Sequence, residues 1–166
     1  ADEESPEIEV VCEDTRRFCR PEAFDAAVNL FTSFGYFEDQ ADDIQVARNL
    51  FESLRPGGKL LMELMGKEVL ARIFRARDWR EREDGTIELE EREVTNNWTW
   101  IKARWIMFRD GEHTEHTVEH RLYSAAELMA PLEEAGFSDF AVYGHLSATP
   151  YDHQARRLVV LASKPG

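Results

Sequence analysis

Two apolar strands bracket one helix in the first third of the chain, and this arrangement constrains the fold more than anything else in it. Phe24-Asp25-Ala26-Ala27-Val28-Asn29-Leu30 is apolar almost throughout, the mark of a strand covered on both faces. From Asp42-Asp43 onward, Ile44, Ala47, Leu50, Phe51 and Leu54 recur at helical spacing, with acids at the start and Arg55 at the end. Pro56-Gly57-Gly58 stops that helix, and Lys59 to Leu64 reads as the next strand. Strand, helix and strand make a βαβ unit of a parallel sheet. Ligands of such sheets sit outside the carboxyl ends of the strands, so the loop from Asn29 to Tyr36 is the floor of a site.

The flanking sequence extends this unit. Upstream, Ile8 to Cys12 is a short β-rich run, with Cys12 a small packed apolar residue, and Ala1 to Glu7 is an acidic loop or helix end. Downstream, Val69, Leu70, Ile73 and Phe74 mark a short helix between Gly66 and Arg75. Three β-prone runs follow: Thr86 to Val94, Trp98 to Phe108 and His113 to Tyr123. Asn96-Asn97 and Asp110-Gly111 join them as hairpin turns, so the three form an antiparallel meander set into an α/β frame. Ser124 and Glu127 form a capping box for a helix through Leu128, Met129, Leu132 and Ala135, which Gly136 closes. Phe137 to Tyr143 and Arg157 to Ala162 are the last two strands, paired as a hairpin. The expected organisation is 1–65 as α/β core, 66–122 as an inserted substrate-side subdomain, and 123–166 as the remainder of the core.

Several functions are disfavoured by composition. Acidic residues outnumber basic ones 33 to 20, a formal net charge of -13. Such a surface repels phosphate backbones, so no nucleic-acid partner is expected, and Arg16, Arg17 and Arg20 read as a solvated turn. No apolar run reaches the length of a membrane span, so no membrane partner is expected. Two cysteines, Cys12 and Cys19, are too few for a secreted disulfide scaffold and point to a reducing, cytoplasmic location.

His113, His116, His120 and Glu119 invite a metal site, but on a strand His116 and His120 stand about 13 Å apart and His113 faces the other way. No metal is therefore expected. Glu13 and Asp14 point oppositely on a strand and cannot act as a pair.

The order of the Phe24-Asp25 strand, the Pro56-Gly57-Gly58 strand, the Glu127-Leu128 helix and Ala135-Gly136-Phe137 resembles class I S-adenosylmethionine-dependent methyltransferases of the small-molecule type. The resemblance covers essentially the whole chain. It implies a Rossmann-like sheet comprising the family's strands three to seven, with S-adenosylmethionine as methyl donor and a small molecule as acceptor. By the same resemblance, Asp14 accepts from the adenine amino group and the Thr15 backbone N–H meets the ring. Asn29, Leu30 and Phe31 hold the amino group and wall the sulfonium. Phe34, Tyr36 and Tyr143 are expected acceptor contacts within a group of aromatics that includes Trp79, Trp98, Trp100 and Trp105, and Arg104 is expected to meet an anionic acceptor group. The family's glycine-rich donor loop is not among the 166 residues, so activity is expected of a longer chain. A non-catalytic binding or dimerisation module of the same fold is the alternative, and a homodimer would cover the open strand edge.

Overall fold

The computed structural model describes residues 8–166, and the acidic start expected at residues 1–7 lies outside them. Two four-stranded sheets carry the chain. The frame sheet holds β1 (Phe24–Asn29), β2 (Leu54–Leu64), β7 (Ser138–Tyr143) and β8 (Leu158–Ser163) in the order β1-β2-β8-β7. β1 and β2 are parallel, and β8 runs antiparallel to both β2 and β7. The meander sheet holds β3 (Arg77–Glu81), β4 (Ile87–Thr95), β5 (Trp100–Arg109) and β6 (Glu112–Arg121), antiparallel throughout. No helix among the described residues is long and apolar enough to cross a membrane.

One face of the frame sheet is closed by α1 (Gln40–Ser53) and α3 (Ala125–Ala135). Val46 and Ala47 of α1 and Leu128 and Leu132 of α3 meet Leu60, Met62, Leu158 and Val160 of the sheet in one buried cluster. Local chemistry sets the helix ends; those of α3 fall as expected, whereas α1 stops at Ser53 and Pro56-Gly57-Gly58 lies inside β2 rather than ending the helix. The Asp39 side chain accepts from the Ala41 N–H at the start of α1. Ser124 and Glu127 form the reciprocal capping box of α3, and Gly136 ends it at φ 110°. A third helix, α2 (Lys67–Ile73), follows β2. The hairpin turns also fall where read: Asn96 and Asn97, then Asp110 and Gly111, all take positive φ.

Four other sequence expectations change. The Ile8–Cys12 run is not a strand, because no described strand lies beside it to complete a ladder; Ile8 is 85% exposed. Cys12 is accordingly exposed rather than packed. β1 is covered on one face only: Val28 is 66% exposed, in register with the half-buried Leu61 and, beyond it, Leu161. An apolar strand thus forms an open edge with a bare face. Finally, β3 is a fourth meander strand that its polar sequence Arg-Asp-Trp-Arg-Glu conceals; pairing with β4, not burial, makes it a strand.

Candidate functional site

A cavity of about 1030 Å³ opens between the carboxyl ends of β1 and β2 and the inner face of the meander. Its floor is the loop after β1. Phe31 and Thr32 both adopt left-handed backbone, at φ 57° and 59°, uncommon for non-glycine residues and especially for β-branched Thr. The surroundings hold that conformation. The Phe31 N–H donates to Glu63 Oε2 at 2.7 Å, and the Thr32 N–H to the Glu63 carbonyl at 3.1 Å. Thr32 Oγ1 accepts from the Met65 N–H and from Arg157, each at 3.0 Å, while Arg157 also pairs with Glu63. Glu63 is buried, and its charge is matched by Arg157 at the start of β8. The result turns the Phe31 ring outward, 82% exposed, beside the cavity.

The meander supplies the opposite wall. His120 Nδ1 lies 3.0 Å from the Arg121 carbonyl oxygen. A carbonyl only accepts, so Nδ1 carries the proton and the neutral ring keeps a lone pair on Nε2. Burial pushes the His120 pKa below its ordinary value, favouring that neutral form. The Tyr36 ring sits 5.3 Å from the imidazole, half-exposed, with its hydroxyl pKa raised by burial. Both line the cavity.

Behind this wall a buried cluster ties the meander to the frame. The Tyr123 hydroxyl donates to Asp43 Oδ2 at 2.7 Å, and Arg121 Nε approaches the same oxygen at 3.3 Å. Desolvation raises the Asp43 pKa, and its Oδ1 is buried with no partner. Arg121 also donates to the Glu38 carbonyl, and its own N–H donates to the Gly35 carbonyl. The end of β6 is thereby fixed against the loop that carries Tyr36.

The expected site residues divide sharply. Phe31 and Tyr36 reach the cavity. Asn29 ends β1, its Nδ2 near the Ser33 carbonyl at 3.4 Å and its Oδ1 buried without a partner. The Leu30 carbonyl accepts from Ser33 Oγ at 2.6 Å. Asp14 caps a turn: its carboxylate holds Arg16 through the backbone and the guanidinium, which brings its pKa down to about 2. Thr15 is exposed, and its carbonyl accepts from Asn49. Phe34 does not line the cavity; it is buried in the frame core against Tyr123. Arg104 stands on the far face of β5, paired with Glu91 and Glu115. Tyr143 pairs in the sheet with Val159 and bridges to Pro150. Neither lines the cavity.

Sequence reasoning missed Glu63, Thr32 and Arg157 and the placement of His120 at the cavity. Glu63 carried a signal, a single acid inside Leu60-Leu61-Met62-Glu63-Leu64, since a buried charge needs a partner.

No protein-family model matches the chain, and no curated protein matches it. Solved structures do. An S-adenosylmethionine-dependent methyltransferase from Clostridium acetobutylicum superposes at TM-score 0.82 with 16% identity, over 94% of this chain and 64% of that one. The CcbJ methyltransferase from Streptomyces caelestis gives 0.79 and 18%, over 94% and 63%. The sugar N-methyltransferase KedS8 from a Streptoalloteichus species gives 0.66 and 20%, over 93% and 61%. The chain spans less than two thirds of the length of each. Its fold is that of the class I S-adenosylmethionine-dependent methyltransferases, a Rossmann-like α/β sheet carrying an antiparallel meander.

Proposed function

We propose that this chain is the acceptor-side part of an S-adenosylmethionine-dependent methyltransferase acting on a small molecule. The observation that carries the reading is the pairing of Tyr36 with His120 at the mouth of the loop after β1, on this fold. Solved neighbours described as methyltransferases of sugars and glycopeptides favour an amine on a sugar-like body as the acceptor group.

The residues at the end of β1 fit the donor in one respect. Asn29 Oδ1 is a buried acceptor lacking a partner, and the donor's amino group brings N–H bonds. Leu30 and Phe31 flank it. Asp14 fits only if it releases Arg16. Bound there, S-adenosylmethionine supplies an electrophilic methyl group. His120 Nε2 accepts the proton that the acceptor amine sheds, the Tyr36 hydroxyl orients the acceptor, and the meander wall excludes water. Much of the rate enhancement is positioning.

We further propose that donor binding requires sequence upstream of residue 1, in keeping with the share of the neighbours that the chain spans and the missing glycine-rich loop. Titration calorimetry with S-adenosylmethionine should give weak or no binding for the 166-residue chain and clear binding for an upstream-extended one. The extended chain should also transfer labelled methyl to an amino-sugar glycoside. An extended chain that binds no donor would make the fold a binding module instead.

A further inference from the structure

Beyond the Tyr36–His120 cavity lies a second hollow of about 740 Å³ on the same side of the meander. The two share Asp78, Glu90, Arg92, Trp105 and Val118 in their walls, so they are continuous. The sheet register shows how they are laid out. Ile101 pairs with His120 and Val94 at the frame end, Ala103 with Val118 and Arg92 next, Trp105 with His116 and Glu90 after that, and Met107 with Glu88 at the far end. From Ile101 to Trp105 is about 13 Å along β5, and from Ile101 to Met107 about 20 Å, at roughly 3.3 Å per residue. One sugar ring occupies only a fraction of that length.

The wall chemistry narrows the occupant. Ala103 is the smallest residue in its row and leaves depth between Ile101 and Trp105, whose indole is 42% exposed. Most of the charged side chains are paired: Glu63 with Arg157, Glu90 with Arg92, Asp78 with Arg75, and Glu88 shared between Arg80 and Arg82. Arg72 is turned to the Ala155 carbonyl. The walls therefore present six arginines against four carboxylates, together with an aromatic face and a thioether.

We propose that these two hollows form one trough for an elongated multi-ring acceptor, with its amine at Tyr36 and His120 and a flat apolar ring on Trp105. This rests on the methyl-transfer reading for the reacting end.

The test is calorimetric binding of two probes to the 166-residue chain without methyl donor: methyl β-D-glucosaminide and 2-naphthyl β-D-glucosaminide. The naphthyl glycoside should bind at least about tenfold more tightly than the methyl glycoside, the scale of one well-placed aromatic contact. Trp105→Ala should remove the naphthyl gain and leave the methyl glycoside unchanged, whereas Phe108→Ala, on the opposite face of β5, should keep the gain. Should Trp105→Ala fail to fold, the indole N–H signal of Trp105 in the wild-type chain, assigned with Trp105→Phe, should move on titration with the naphthyl probe only. Equal affinities, a gain that survives Trp105→Ala, an unmoved indole signal, or no binding by either glycoside each overturns the trough. A Trp105-dependent gain in a protein whose extended form transfers no methyl group would keep the trough and overturn the methyl-transfer reading.

Discussion

The frame sheet and the meander each have four strands, but they are held together differently. In the frame, Leu60, Met62, Leu128, Leu132, Leu158 and Val160 are fully buried. Within the strands of the meander only Ile101 is buried, and it keeps 5% exposure. The meander relies instead on its hydrogen-bond ladders and on cross-strand ion pairs such as Lys102–Glu119 and Arg104–Glu115. Exposed ion pairs contribute little, so the meander depends on docking to the frame through Tyr123, Arg121 and Asp43. One region supplies stability; the other supplies a shaped wall.

The largest effect should come from the frame core. Leu132→Ala is expected to cost about 2–5 kcal/mol in urea unfolding, while Ile106→Ala, at a half-buried residue on the far face of the meander, should cost well under half as much. Equal losses would break the contrast. Native-state amide exchange should follow the same order, with β5 and β6 opening before β2 and β8.

Next is the tie between the two regions. Asp43→Ala should cost about 2–4 kcal/mol, because it strands the Arg121 guanidinium and the Tyr123 hydroxyl in a buried place. Asp43→Asn should cost less and change the pH dependence. The folded protein holds the Asp43 proton more tightly than the unfolded chain does, so this group's contribution declines as pH rises above its ordinary value of 3.8. The asparagine variant should lose that slope in stability measured between pH 3 and pH 7, taken as roughly the span of carboxylate titration.

A smaller effect is expected at His120. Its folded pKa is lowered from 6.5, so the unfolded chain takes up a proton that the folded one resists. Stability should therefore fall as pH drops below the ordinary histidine value, and His120→Gln should flatten that limb. In an upstream-extended chain the same variant should lower kcat more than it raises KM. The smallest effect belongs to Arg104→Ala, which should leave both the unfolding midpoint and acceptor binding unchanged; a clear shift would mean that the meander's ion pairs matter more than its docking.

These contrasts also mark where the sequence was legible. Periodicity, caps and turn residues placed α1, α3, β2, β7 and β8, because each is set by residues close in the chain. Strand identity failed where a strand depends on its neighbour. Ile8 to Cys12 has the composition of a strand and no partner, whereas Arg77 to Glu81 has a partner and almost no apolar signal. The site was legible at its floor, where Phe31 and Tyr36 follow from the end of β1. It was illegible in its wall. His120 reaches the cavity through pairing registers some 90 residues away from that floor, and Phe34 and Tyr36, two residues apart, go to the core and the cavity respectively.

The consecutive left-handed residues Phe31 and Thr32 carry a consequence for selectivity. Four hydrogen bonds from Glu63, Arg157 and Met65 hold this segment in one shape before any ligand arrives. Freezing a loop on binding ordinarily opposes association; here the ordering belongs to folding. A preset floor discriminates by shape, since a molecule that fits incurs no ordering cost and one that does not must break a buried ionic contact to enter. Loosening the segment, as by Glu63→Gln, should therefore broaden the range of acceptors while weakening the best of them.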